Sequence, residues 1–104
     1  MLQIKSTKDF DKWLTRLKIR DTELVGRILV RIQRLQAGNP GDVKNLGDGV
    51  EELRLNFSSG YRIYFTRRDS VVVFLLAGGD KSSQVRDIKK AKKYAKQLEH
   101  ENEN

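Results

Sequence analysis

The run Val71-Val72-Val73-Phe74-Leu75-Leu76-Ala77 contains no polar side chain. A short, β-branched and wholly apolar run of this kind reads as a strand inside a sheet, covered on both faces. The two stretches before it alternate instead. Leu53, Leu55 and Phe57 fall on one side of the first, with Glu52, Arg54 and Asn56 on the other. Tyr61, Ile63 and Phe65 alternate in the same way with Arg62, Tyr64 and Thr66. Ser58-Ser59-Gly60 supplies a tight hairpin connection and Arg67-Arg68-Asp69-Ser70 the next turn. The result is an antiparallel three-strand meander, extended by a short N-terminal strand at Leu2-Gln3-Ile4.

Helical spacing fills the chain between these strands. Phe10, Trp13, Leu14 and Leu17 recur at i, i+3, i+4 and i+7 behind a cap at Ser6 or Thr7, with Asp9 in the first turn. At that spacing Trp13 is a core residue rather than a base-stacking one. A second helix, capped by Asp21 or Thr22, carries Val25, Ile28, Leu29, Ile32 and Leu35 on one side. Arg27, Arg31 and Arg34 lie elsewhere on it, as a solvated face or a phosphate-contacting row. Gly38 and Pro40 end this helix, and Asn39–Gly49 reads as a loop anchored by Lys44 and Leu46. After Gly78-Gly79, Asp80 or Ser82 can cap a last helix whose apolar stripe is thin: Val85, Ile88, Ala91, Ala95 and Leu98. Marginal docking follows, with residues 1–98 as one domain and 99–104 as a disordered tail.

Charge narrows the function. The 104 residues carry 21 Lys and Arg against 14 Asp and Glu, a net +7. Such a balance favours polyanions, nucleic acid before membrane, and equally suits an acidic protein partner or simple solubility. With no cysteine, a disulfide framework, a thiolate metal site and a thiol nucleophile are excluded. The single histidine, His100, excludes a His-based metal cluster or a Ser-His-Asp triad. No apolar run reaches membrane-spanning length and no signal peptide opens the chain, so a cytoplasmic setting is expected.

Alternation places Arg54, Arg62 and Tyr64 together on the polar side of the sheet, with Lys81 joining at the exit of the third strand. If the helical hairpin covers the apolar side, this group faces outward. Guanidinium forks match phosphate oxygens, and phenols and guanidiniums stack on bases. Cutting RNA requires a deprotonated 2′-hydroxyl, a stabilised phosphorane and a protonated 5′-oxygen. Arg54 and Arg62 suit the charge stabilisation, while Lys81, Glu52 and Tyr64 are the available proton carriers. Arg67, Arg68, Lys44, Lys89 and Lys92 are the further candidates for binding RNA. The competing reading is an ordinary sheet with a solvated charged face.

The segments E-L-R-L-N-F-S-S-G-Y-R-I-Y-F and G-G-D-K-S-S-Q-V-R-D-I resemble the RelE/ParE superfamily of type II toxins. Gly38–Arg54 is similar to the loop G-N-x-G-D-x-K-x-L-G-x-G-V-x-E-L-R of the HigB-like addiction module killer proteins, and the likeness spans roughly residues 1–95. It implies an α+β, microbial ribonuclease-like order β-α-α-β-β-β-α, an antiparallel sheet with a helical hairpin on one face and a C-terminal basic helix. It implies an mRNA endoribonuclease acting in the ribosomal A site with no metal or other cofactor and leaving a 2′,3′-cyclic phosphate. Arg54, Arg62 and Lys81 match the family's basic residues. The late tyrosine or histidine of many members has only Gln84 as a local match, and Tyr94 lies too far along. The resemblance also implies a cognate antitoxin, commonly an acidic helix-turn-helix protein that binds operator DNA in complex with the toxin. The alternatives within the superfamily are a ParE-like gyrase inhibitor and an inactive co-repressor.

Overall fold

The computed structural model describes residues 1–57 and 60–103. In chain order the elements are β1 (Gln3–Ser6), α1 (Lys8–Arg20), α2 (Thr22–Gln36), β2 (Val43–Gly47), β3 (Val50–Leu55), β4 (Tyr61–Arg68), β5 (Val72–Gly79), a 3-10 turn (Lys81–Ser83) and α3 (Gln84–Glu103). The strands form one sheet in the order β1-β5-β4-β3-β2. β1 runs parallel to β5 and the other neighbours are antiparallel, so the sheet is mixed rather than purely antiparallel. The expected hairpin residues Ser58 and Ser59 lie outside the described residues. No described helix is long and apolar enough to cross a membrane.

Local chemistry sets the helix ends. The Thr7 hydroxyl accepts from the Phe10 amide at the start of α1, and the Asp21 carboxylate from the Leu24 amide at the start of α2. Phe10, Leu17, Leu24, Val25, Ile28, Ile32 and Leu35 pack this helical pair on Leu53, Leu55, Tyr61, Ile63, Phe65, Val73 and Leu75. Trp13 packs against the same cluster, as its spacing predicts. Leu29 does not: it is exposed, one step round the helix from the buried stripe.

The other face of the sheet is covered as well. Val50, Tyr64, Leu76 and Ala77 meet Ala91 and Ala95 of α3, flanked by Leu46, Phe74, Ile88, Tyr94 and Leu98. A stripe built on alanine is thin in side-chain volume, yet it lets the helix approach the strands closely, and Ala91 is fully buried. Docking is therefore intimate, and the polar side of the meander is largely roofed. The helix continues through Glu103, where the sequence suggests a tail from Glu99.

Two connections differ from the sequence reading. The expected loop at Asn39–Gly49 contains the edge strand β2, paired with β3 from Val43↔Leu53 to Gly47↔Val50. An edge strand needs little apolar content, and Asp48-Gly49, both with positive φ, make the tight reversal that joins it to β3. Arg67 and Arg68 belong to β4 rather than to a turn, and Asp69 and Ser70 take the positive φ values instead.

A register shift between Tyr64 and Phe65 places Tyr64 opposite Ala77 and Phe65 opposite Leu75. Leu76 is the extra residue, and the bulge reverses the phase of β5 beyond it. Val73 and Leu75 face the helical pair, while Leu76 and Ala77 both face α3. Gly78 consequently lies under the Trp13 ring and Gly79 under Asp87 and Ser83. A methyl group at Gly78 would overlap the indole, whereas one at Gly26 in α2 meets nothing within 4 Å. Gly78→Ala should therefore cost about 1–3 kcal/mol by overpacking. Gly26→Ala should add up to about 1 kcal/mol through helix propensity. Equilibrium denaturation of both variants checks the pair, and a neutral Gly78→Ala would refute the close approach.

Candidate active site

Arg54 and Arg62 are direct cross-strand partners on β3 and β4. Like charges so placed repel one another unless an anion lies between them. Glu52, on the same side of β3 and two residues earlier, supplies that anion. Its Oε1 accepts from Arg54 Nε at 2.8 Å and lies 3.7 Å from Arg62 Nε. Gln84, the first residue of α3, donates from Nε2 to Oε2 of the same carboxylate at 3.2 Å. Glu52 is 0% exposed, Arg62 15% and Arg54 37%. The carboxylate thus forms a dry floor from which the arginines rise toward solvent. The bond from Arg54 to Glu52 raises the guanidinium pKa above its ordinary value, so Arg54 serves as fixed positive charge.

The hairpin between β3 and β4 brings in the third cation. Arg62 Nη1 donates to the Gly60 carbonyl at 2.8 Å. A Cβ on Gly60 would meet Arg62 Nη1 at 3.5 Å and Lys81 Cβ at 3.8 Å, so the stem of Lys81 stands beside Arg62. Gly60 has φ +69°, a conformation that glycine adopts without strain. Lys81 itself is exposed. Arg54 and Arg62 therefore meet at one end of the sheet, and the stem of Lys81 flanks the same Gly60 turn as Arg62.

The remaining two catalytic candidates sit differently from the sequence expectation. Tyr64 shares the face of Arg62 but lies wholly under α3, 0% exposed, because the helix covers this part of the sheet. Burial first, and then the charges of Glu52 and Asp87, push its pKa upward, so the phenol keeps its proton. Its Oη has no hydrogen-bond partner among the described residues. Glu52 is enclosed by Arg54, Arg62 and Gln84 and is out of reach of solvent. The expectation of an outward-facing phenol is thus corrected by the position of α3, and Glu52, a candidate proton carrier, is closed off from solvent.

The structure does not gather the five further RNA-binding candidates. Arg67 pairs with Glu51 at 2.7 and 3.3 Å and lies over the Phe65 ring. Arg68 ends β4, six residues and therefore about 20 Å along the strand from Arg62. Lys44 is exposed on the edge strand opposite Glu52, and Lys89 is exposed on α3. Lys92 Nζ pairs with Asp48 at 3.3 Å and ties α3 to the β2–β3 turn. Tyr94 donates to Asp9 rather than approaching the arginines.

Asp87 was not visible as a site residue in the sequence. It is buried, accepts from Ser83 Oγ at 2.5 Å and fits against Gly79 because that position has no side chain. Gln84 was visible only as a positional match, and its bond to Glu52 is what gives it a place in the site.

A mixed five-stranded sheet with a helical pair on one face and a basic helix on the other defines an α+β protein, and two arginines meet across adjacent strands at one end of the sheet. Residues 12–100 match the family described as Phage derived protein Gp49-like (DUF891), and the chain belongs to that family. The Gp49-like family is a member of the RelE-like toxin superfamily and is associated with toxin–antitoxin systems. A Haemophilus influenzae protein named only as uncharacterized is 48% identical over 97 residues, covering 93% of this chain and 96% of its own length. No solved structure matches.

Replacing Tyr64 by Phe tests the placement of the phenol. An unpartnered buried hydroxyl carries a desolvation cost of about 1–3 kcal/mol, so the substitution should leave stability at neutral pH unchanged or raise it by up to that amount. The raised folded pKa means that the folded state holds the proton more tightly than the unfolded chain. Stability should therefore fall as pH rises above about 10, the ordinary tyrosine value, and fall less steeply in Tyr64→Phe. Denaturation midpoints between pH 8 and pH 11 read the difference, and identical alkaline slopes would contradict the burial.

Proposed function

We propose that the chain is the toxin of a type II toxin–antitoxin system and a metal-independent endoribonuclease that cuts mRNA at the ribosome. The supporting observation is the Arg54–Arg62 pair, held by the buried Glu52 carboxylate beside Lys81. RelE-like toxins, with which the family is associated, are endoribonucleases. Opposed guanidiniums with free edges form a cradle for a scissile phosphate, and Glu52 fixes their orientation before substrate arrives.

In the proposed reaction the 2′-oxygen attacks phosphorus while the bond to the 5′-oxygen breaks. The products are a 2′,3′-cyclic phosphate and a free 5′-hydroxyl. One proton leaves the 2′-hydroxyl and one reaches the departing 5′-oxygen, so no external reactant is consumed. Arg54 and Arg62 stabilise the extra negative charge of the phosphorane. Lys81, exposed and beside Arg62, is the proton carrier with access to substrate. Glu52 acts as a positioning residue, and Tyr64 supports the fold.

The net +7 charge and the family's link to toxin–antitoxin systems support a cognate antitoxin with an acidic segment. An acidic helix-turn-helix protein that carries the pair to operator DNA is the form proposed for it. Action at the ribosome places the toxin in the cytoplasm.

Arg62→Lys keeps a cation beside the buried carboxylate but removes the planar fork. It should lower cleavage by about 10²–10³, the usual cost of losing one oriented donor to a developing charge. The measurement is a 5′-end map of transcripts after induction, with circular dichroism confirming the fold. Cuts within codons that vanish in Arg62→Lys support the reading. Whole transcripts with stalled supercoiling would indicate gyrase inhibition instead, and whole transcripts with normal growth an inactive co-repressor.

A further inference from the structure

A cleft of about 550 Å³ opens between α1 and the turn that leads into α3, over Gly78 and Gly79. Lys12, Arg16 and Arg20 line it from α1 and Arg86 and Lys90 from α3. Each row repeats every four residues, which on a helix is a step of about 6 Å along one face. All five cations are exposed, and among the described residues none of them forms an ion pair.

The carboxylates in the cleft are already engaged. Asp9 accepts from Tyr94 Oη, Asp80 from the Ser82 amide and hydroxyl, and Asp87 from Ser83. The bond from Tyr94 lowers the Asp9 pKa most, and Lys90, Lys12 and Arg16 add to that effect from both walls. Arg20 acts in the same sense on Asp80. The cations thus converge on one space, with the acids turned into structural bonds.

We propose that this cleft binds the sugar–phosphate backbone of a single-stranded RNA segment, its phosphates held between the α1 and α3 rows. The proposal rests on the ribonuclease reading and extends it. Lys81 stands beside Arg62 while Ser82 and Ser83, the next two residues, line the cleft, so one strand can continue from the arginine site across the 3-10 turn. The helical step of the cations is close to the distance between successive phosphates of an extended strand. Three of the five are arginines, whose forks fit phosphate oxygens. The Trp13 and Tyr61 rings, 6.4 Å apart, belong to the core and form the floor of the cleft beneath the cations. An acidic peptide would use the same charges, but it gains nothing from the phosphate-like step.

Trp13 is the single tryptophan of the chain and lines the cleft, so its emission reports occupancy directly. The experiment titrates a short oligouridylate into the full chain carrying Arg62→Lys, which leaves the RNA whole, and follows Trp13 emission and anisotropy together. Binding should change the emission. Adding Arg16→Gln and Arg86→Gln should weaken binding at least tenfold and make the log–log salt slope shallower by about 1.4, or about 0.7 per lost phosphate contact. Lys12→Gln with Lys90→Gln serves the same purpose should the first pair fail to fold. RNA binding with unchanged Trp13 emission, or with an unchanged salt slope, overturns the proposal. So does a response to oligoglutamate without one to RNA, which would mark a site for an acidic peptide. Transcripts left whole by the wild-type protein, together with a Trp13 response to RNA, would remove the ribonuclease reading and leave the cleft assignment standing. Cut transcripts without a Trp13 response would remove the cleft alone.

Discussion

Strand β5 has to be dry on both faces, and the placement of nearly every other element follows from how that is met. The α1–α2 pair covers Val73 and Leu75, and α3 covers Leu76 and Ala77. The bulge opposite Tyr64 and Phe65 hands β5 from one alternation to the other midway. Two glycines then fall where two different elements press onto the strand, Gly78 under Trp13 and Gly79 under Asp87. The first half of β5 has β1 at its free edge; beyond it, the Thr7 hydroxyl donates to the Leu76 carbonyl at 2.8 Å. The sheet edge that would otherwise invite another strand is thereby occupied from within the chain.

Covering β5 with α3 also dries the neighbouring strands, and this gives the arginine cluster its character. Opposed guanidiniums at cross-strand positions would be poorly placed on an open surface. Beside a fully buried carboxylate they are held in place, Arg54 partly open to solvent and Arg62 largely enclosed. Gln84 completes the floor from the first turn of α3. A buried ion pair of this kind contributes more to specificity of position than to net stability.

Much of this was legible in the sequence because alternation and helical spacing are local signals. The faces of β3 and β4 follow from Leu53, Leu55, Ile63 and Phe65, and the caps at Thr7 and Asp21 are marked by residue type. Strand β2 was harder to see, since only Val43 and Leu46 are apolar in it and an edge strand gives no stronger pattern. The burial of Tyr64 and Glu52 depends on how closely α3 approaches. Ala91 and Ala95 look weak on a hydropathy scale, and it is their small size that allows the contact. The cleft was invisible for another reason: its cations belong to segments some seventy residues apart, and nothing local links Arg16 to Arg86.

The bond from Tyr94 to Asp9 joins the first helix to the last across 85 residues. Together with the bond from Gln84 to Glu52, it ties α3 to both the first helix and the floor of the arginine cluster. α3 rests on the sheet through small alanines and is fastened to the rest of the chain by a few polar bonds. Release of α3 alone would admit water to Glu52, expose Tyr64 and Leu76, and leave Trp13 on a surface with one wall. The surroundings of the arginines and the shape of the cleft therefore both depend on where α3 sits, and amide exchange along α3 reports on the two together.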